Sequence, residues 1–157
     1  MIEIEVPNWK KLKLEHLALD INGTLTLDGE LIQGVDERIW KLAEQLHIVL
    51  LSADTLGKAN VAAERLRVEL HLLDKQQSGA EQKAIYVSNL GAHNVVAIGN
   101  GANDGAMLFM AGLGIAVLGP EGLANEAMEN ADVVARDITT ALDLLLHPNR
   151  LIASLRG

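Results

Sequence analysis

The feature that most constrains this chain is a series of short apolar segments that run on without alternating and then stop at small or polar residues. Residues 47–51, 68–73, 94–98, 114–118 and 132–135 are read this way, and so is 16–20, which closes on Asp20. A strand covered on one face alternates apolar and polar residues, whereas a strand covered on both faces need not, as in parallel sheets packed between helices. Helical periodicity fits the intervals. Val35, Ile39, Leu42, Ala43 and Leu46 recur at helical spacing, with Asp36 and Glu37 at the start, where the helix dipole favours acids. The pattern predicts an α/β fold, a three-layer Rossmann-like parallel sheet with helices on both faces and right-handed crossovers.

Two hairpins are expected beside that sheet. Ile2, Ile4 and Val6 alternate with acids, Leu12 and Leu14 alternate with lysines, and Pro7-Asn8 separates the runs, which reads as an N-terminal β-hairpin. Asp28-Gly29 between apolar residues of 25–32 signals another. Trp9 and Trp40 are expected to pack the first hairpin onto the first helix, and Met107, Phe109 and Met110 to be helix core. Pro148 is expected to break the last helix, leaving Leu151, Ile152 and Leu155 as a short amphipathic turn.

At 157 residues the chain is expected to be one domain, 1–157, and with 49% hydrophobic but only 3% aromatic residues its core should be aliphatic. A formal net charge of −8 argues against affinity for nucleic acid or anionic membrane. There is no cysteine, which excludes disulfides and thiolate chemistry. The acidic N-terminus lacks signal-peptide character, and no stretch approaches the roughly 18 apolar residues of a membrane span, so a cytoplasmic protein is expected.

In open parallel sheets, ligands bind where strands end and helix N-termini gather. Three segments place polar groups there: Asp20-Ile21-Asn22-Gly23-Thr24, Ser52-Ala53-Asp54-Thr55, and Gly99-Asn100-Gly101-Ala102-Asn103-Asp104. Each alone is as consistent with a turn or helix cap as with a site. Their order is more specific. A strand ending in Asp-x-Asp-Gly-Thr, a strand ending in Ser or Thr, a lysine before or at the start of a later helix (here Lys83) and a Gly-Asp-Gly-x-Asn-Asp turn form the motif set that this chain resembles. It is that of the haloacid dehalogenase-like (HAD) superfamily, and the likeness runs from about Leu17 to about Leu145.

Two positions depart from the family pattern, both amides in place of acids: Asn22, where the acid/base Asp usually stands, and Asn100, where the fourth motif begins its acidic pair. The first motif is also similar to the Asp-Lys-Thr-Gly-Thr of P-type ion pumps, so the chain resembles a soluble P-type-ATPase-like protein. The resemblance implies a capless phosphatase in which Asp20 is the nucleophile, with Asn22 and Lys83 the other catalytic positions. It implies phosphate contacts from Thr24, Ser52, Ala53, Lys83 and Asn103, and Mg²⁺ at Asp20, Asn22, Asn100 and Asp104. Only a hairpin and one helix fit between Asp20 and Ser52, so no cap domain is expected. Capless relatives take macromolecular substrates or cover the site with a second subunit, which points to a small phosphorylated substrate or a phosphoprotein, and to a homo-oligomer with contacts at the Asp28 and Pro7 tips.

Competing readings are a catalytically weak or inactive phosphate-binding protein, and a regulatory phospho-acceptor. Lys75 competes with Lys83 for the phosphate role. Lys58, Thr55 and Glu121 beside Gly119-Pro120 are further candidates for substrate contact, against the plainer reading of solvated surface. The five histidines show no i, i+4 pairing and are read as surface or strand-end residues rather than metal ligands.

Overall fold

The computed structural model describes residues 1–54 and 56–157. Six parallel strands form the central sheet: β3 (His16–Asp20), β6 (His47–Ser52), β7 (Glu69–Leu72), β8 (Val95–Gly99), β9 (Leu113–Val117) and β10 (Val133–Ala135). Their order is β10-β9-β8-β3-β6-β7. The chain therefore leaves β3 in one direction along the sheet and later returns to its other side at β8, which opens a crevice at the carboxyl ends of these two strands. Register sharpens the point. Leu19 pairs with Ile98 and Asp20 pairs with Leu51, so the ends of β3, β6 and β8 finish level, and Asp20, Ser52 and Gly99-Asn100 meet at one edge.

Helices α1 (Val35–Ala43), α2 (Lys58–Leu66) and α6 (Ile138–Leu146) cover one face, while α3 (Gly79–Asn89), α4 (Gly105–Met110) and α5 (Asn125–Asn130) cover the other. Strand side chains alternate between two cores. Leu17, Leu19, Leu50, Val96, Ile98 and Ile115 pack under α1 and α6, and Ala18, Val49, Leu51, Ala97 and Ala116 pack under α3, α4 and α5. Three alanines among the second set bring that helix layer close to the sheet. This is why a lysine on α3 can reach the end of β3.

Both expected hairpins form. β1 (Ile2–Glu5) pairs antiparallel with β2 (Lys11–Leu14), and β4 (Thr26–Leu27) with β5 (Glu30–Leu31). The tryptophan expectation is corrected: Trp40 is exposed at 44%, and the first hairpin instead packs against α7 (Pro148–Leu155), with only Trp9 of the pair set against the core. The helical region breaks at His147-Pro148 as expected, between α6 and α7, but the segment beyond is an eight-residue helix rather than a short turn: Pro148 starts it, because a proline in the first turn removes an N–H that has no helical partner in any case. Met107 is core, but Phe109 and Met110 face outward at 76% and 42% exposure, since α4 has only six residues and buries one side.

At the opposite end of the sheet from the crevice, His47 Nε2 lies 2.9 Å from Glu69, whose other carboxylate oxygen accepts the Tyr86 hydroxyl at 3.0 Å. Burial, with the Glu69 carboxylate beside it, pushes the Tyr86 phenol up to about 12. No helix among the described residues is long and apolar enough to cross a membrane.

Candidate active site

The polypeptide turns sharply after Asp20. Ile21 carbonyl accepts backbone N–H groups from Thr24, Leu25 and Thr26, and Gly23 adopts a φ of +77°, a left-handed conformation open to glycine and strained for other residues. The turn aims Asp20 into a cleft of about 500 Å³ whose walls include Asn22, Ser52, Ala53, Lys75, Asn100, Asn103 and Glu121.

At its floor, the Lys83 ammonium lies 2.7 Å from Asp20 Oδ1 and 2.6 Å from Asp104 Oδ1. All three groups are buried, Lys83 to 1% and Asp104 to 0% exposure. The other Asp104 oxygen accepts the backbone N–H groups of Asn100 and Gly101 at 3.0 and 2.9 Å, which fixes the turn after β8. Gly99 permits this closeness, because a Cβ there would collide with the Asp104 carboxyl group. The Thr24 hydroxyl lies 3.1 Å from Asp20 Oδ2 and 3.0 Å from Asn100 Oδ1, so its one proton ties the first loop either to its own carboxylate or to the fourth motif. Among the described residues, no buried side-chain polar atom is left without a partner.

The electrostatics follow from two like charges held around one cation. Burial raises the Asp20 carboxyl, the Asp104 charge raises it further, and the Lys83 ammonium and Thr24 hydroxyl oppose both, leaving it at about 6. For Lys83, burial acts to lower the value, but the charges of Asp20 and Asp104 and their hydrogen bonds outweigh it and hold the ammonium above its ordinary range. Lys83 stays charged throughout the neutral range.

The structure thus brings together Asp20, Asn22, Ser52, Ala53, Lys83, Asn100, Asn103 and Asp104 from separate stretches of sequence. Two placements differ from expectation. Lys83 lies inside α3 rather than at its start, because Ser78 caps the helix by accepting the Glu81 N–H; Ser78-x-x-Glu81 is a capping signature that marks this start in the sequence. Thr24 is buried beneath the cleft rather than on its wall, held by Asp20 and Asn100. Ser52 Oγ accepts the Asp54 N–H at 3.0 Å, and Asp54 in turn accepts Leu56 and Ala59 N–H groups at the start of α2; these backbone hydrogen bonds hold its carboxyl below the usual range. Lys75 lines the same cleft. Lys58 lies instead beside Gly29, in a separate cavity of about 240 Å³ between the second hairpin and α2. Thr55 lies outside the described residues. Glu121, singled out only weakly by sequence, is on the cleft wall, and Gly119-Pro120 before it marks the turn that carries it there.

The donors available for a cation are carboxylate, amide and carbonyl oxygens, with two carboxylates at the centre; among the described residues no cluster of three or more His, Cys, Asp or Glu forms a metal-binding group. An all-oxygen set with one or two carboxylates suits a hard dication that keeps part of its water shell, and not a zinc-type site.

No family model matches the sequence. Uncharacterized protein MJ0073 of Methanocaldococcus jannaschii is 41% identical over 90 residues, which is 54% of this chain and 97% of that protein, and the two belong to one family. A Streptomyces avermitilis protein assigned to the HAD-family hydrolases superposes with a TM-score of 0.70 at 16% identity, over 93% of this chain and 90% of that one. The chain has the fold of HAD-family hydrolases, with no cap domain among the described residues. The 3-deoxy-D-manno-octulosonate 8-phosphate phosphatase of Moraxella catarrhalis, solved with magnesium, phosphate and KDO, shares this HAD fold at a TM-score of 0.68 and 17% identity, over 92% of this chain and 94% of its own. The catalytic domain of the CPx-ATPase CopB-B is 27% identical with a TM-score of 0.60, over 73% of this chain and 46% of that one.

Proposed function

We propose that residues 1–157 form one phosphotransferase domain that hydrolyses phosphate esters or anhydrides through an aspartyl-phosphate on Asp20, with Mg²⁺ as cofactor. The observation that carries this reading is the Asp20–Lys83–Asp104 cluster at the floor of an open polar cleft, with Ser52, Ala53 and Asn103 on its walls. A buried carboxylate beside a buried ammonium at the floor of an open cleft is suited to receive a phosphoryl group and to neutralise its oxygens. The fold shared with the Moraxella phosphatase, which holds magnesium and phosphate, agrees with it.

Asp20, the Asn22 carbonyl, Asn100 and Asp104 are the residues assigned to the cation, which when bound would offset the charge of the phosphoryl group. The chain's own groups do the rest. An Asp20 oxygen forms a bond to phosphorus as the bond from phosphorus to the leaving oxygen breaks, and Lys83, Ser52 and the nearby backbone N–H groups hold the phosphoryl oxygens. Asn22 stands where an acid would protonate the leaving oxygen, and an amide donates no proton near neutral pH. Substrates whose leaving oxygen needs little protonation, such as acyl phosphates, aryl phosphates and nucleoside triphosphates, are therefore favoured. The likeness to a CPx-ATPase catalytic domain supports this choice.

The open cleft suits a small phosphorylated molecule or a phosphoprotein. A second reading, phosphate binding without turnover, rests on Asn22 and Asn100 standing in place of acids. One assay decides between them: phosphate release from acetyl phosphate, aryl phosphate and ATP with Mg²⁺, compared with Asp20→Asn. Release that depends on Asp20 is expected, strongest with acetyl phosphate; equal release from both proteins overturns the reading.

A further inference from the structure

The second half of the proposed reaction, hydrolysis of the aspartyl-phosphate, needs a group to take a proton from water, and Asn22 cannot. We propose that Glu121 is that group. The proposal rests on the reading of Asp20 as a phosphoenzyme nucleophile and adds a catalytic residue to it.

Residues 119–122 form a tight turn, closed by the Gly122 N–H donating to the Gly119 carbonyl at 3.0 Å, with Pro120 fixing its second position and Glu121 at its third. The turn is docked on the two loops that build the site. Asn100 Nδ2 donates to the Gly122 carbonyl at 3.3 Å, and the Ala124 N–H donates to the Asn100 carbonyl at 2.9 Å. Gly119 sits so close to the first loop that a Cβ on it would lie 3.0 Å from the Gly23 carbonyl oxygen. The backbone that carries Glu121 is therefore held against both loops. A Cβ on Gly23 would fall 2.6 Å from Glu121 Oε2, which sets that carboxylate directly against the residue after Asn22, on the wall of the cleft that Asp20 enters.

The other acids of the site are committed elsewhere. Asp54 uses both oxygens to cap the start of α2, and Asp104 uses both on Lys83 and on the turn after β8. Asp20 is the nucleophile. Glu121 alone among them makes no hydrogen bond or ion pair among the described residues, and it is exposed to the solvent that must supply the water. Its carboxylate accepts one proton from a water molecule as the water oxygen forms a bond to phosphorus. The bond from phosphorus to the Asp20 oxygen breaks, its electron pair restores the Asp20 carboxylate, inorganic phosphate departs, and Glu121 returns the proton to bulk solvent.

The test is the lifetime of the phosphoenzyme. The full chain, Glu121→Gln, Glu121→Asp and Asp20→Asn are labelled with [³²P]acetyl phosphate and Mg²⁺, acid-quenched, and chased with unlabelled acetyl phosphate. Glu121→Gln is expected to gain at least as much label as the unsubstituted chain and to lose it at least about tenfold more slowly, with Glu121→Asp between the two. Formation kept while decay slows is a split that a merely structural role would not produce. Equal decay in the unsubstituted chain and Glu121→Gln overturns the proposal alone, and so does slow decay that raised Mg²⁺ restores, since Glu121 would then be a metal ligand. Absence of Asp20-dependent label in both proteins overturns the phosphoenzyme reading, and this proposal with it.

Discussion

At the scale of single residues, two side chains set the behaviour of the site. Asn22 removes proton donation to the leaving oxygen, a contribution of about 10² to 10⁴ in rate. Asn22→Asp is therefore expected to raise turnover of an alkyl phosphate at least about tenfold while changing acetyl phosphate turnover little, measured as kcat for both substrates. Lys83 is the counter-ion for two buried carboxylates. Lys83→Met leaves them facing each other, and breaking a buried ion pair by removing one partner costs about 3 to 5 kcal/mol. Urea unfolding without metal should show that loss, and Asp104→Asn introduced into the Lys83→Met background should recover part of it; a single variant as stable as the unsubstituted chain would mean that Lys83 does not hold the cluster together. The carboxylate, hydroxyl and amide positions were legible in the sequence because each ends an apolar run. Their joining by Lys83 was legible only through the motif, since spacing along the chain does not say that α3 brings its lysine to the end of β3. Glu121 was nearly invisible, because one acid in a Gly-Pro turn has no periodicity to mark it.

At the scale of elements, the strands were readable to within about one residue, because strands buried on both faces carry their own signal. The helix ends were less so, being set by caps. Asp137 caps α6: burial would raise its carboxyl, but hydrogen bonds from Thr140 and Thr139 outweigh this and hold it low. A folded-state value below the unfolded one means that the unfolded chain binds the proton more readily, so the stabilisation is present above the unfolded value and is lost as pH falls through the folded one. Asp137→Ala is expected to cost about 1 kcal/mol near pH 7, with the difference shrinking as pH drops through the carboxylate range, read by denaturation at several pH values. A difference that stays constant with pH would assign the loss to packing instead. Outward residues such as Trp40, Phe109 and Met110 were misread for a simple reason. Apolar spacing shows that a helix has a buried side, but a large side chain at its margin satisfies the pattern without being covered.

At the scale of the whole molecule, the carboxyl-terminal edge of the sheet concentrates acids in a chain that already carries a net charge of −8. Asp20 shows the consequence. Burial and Asp104 raise it to about 6, so between its unfolded value and that point the folded chain holds a proton the unfolded chain has lost, and stability from this group falls as pH rises through the interval. A dication gathered by Asp20 and Asp104 would reverse the sign, since it favours the ionised carboxylate and joins the loops after β3 and β8. Magnesium at about 100 times its Kd should stabilise the fold by about 2.7 kcal/mol, equivalent to roughly 5 to 10 °C in Tm for a chain of this size. The shift should be full above pH 7, shrink below about pH 6 as the proton competes for Asp20, and fall in Asp104→Asn. Thermal unfolding with and without Mg²⁺ across that pH range checks all three. A shift that ignores pH would place the cation away from Asp20, and one that ignores Asp104→Asn would leave the two strand ends unlinked by metal.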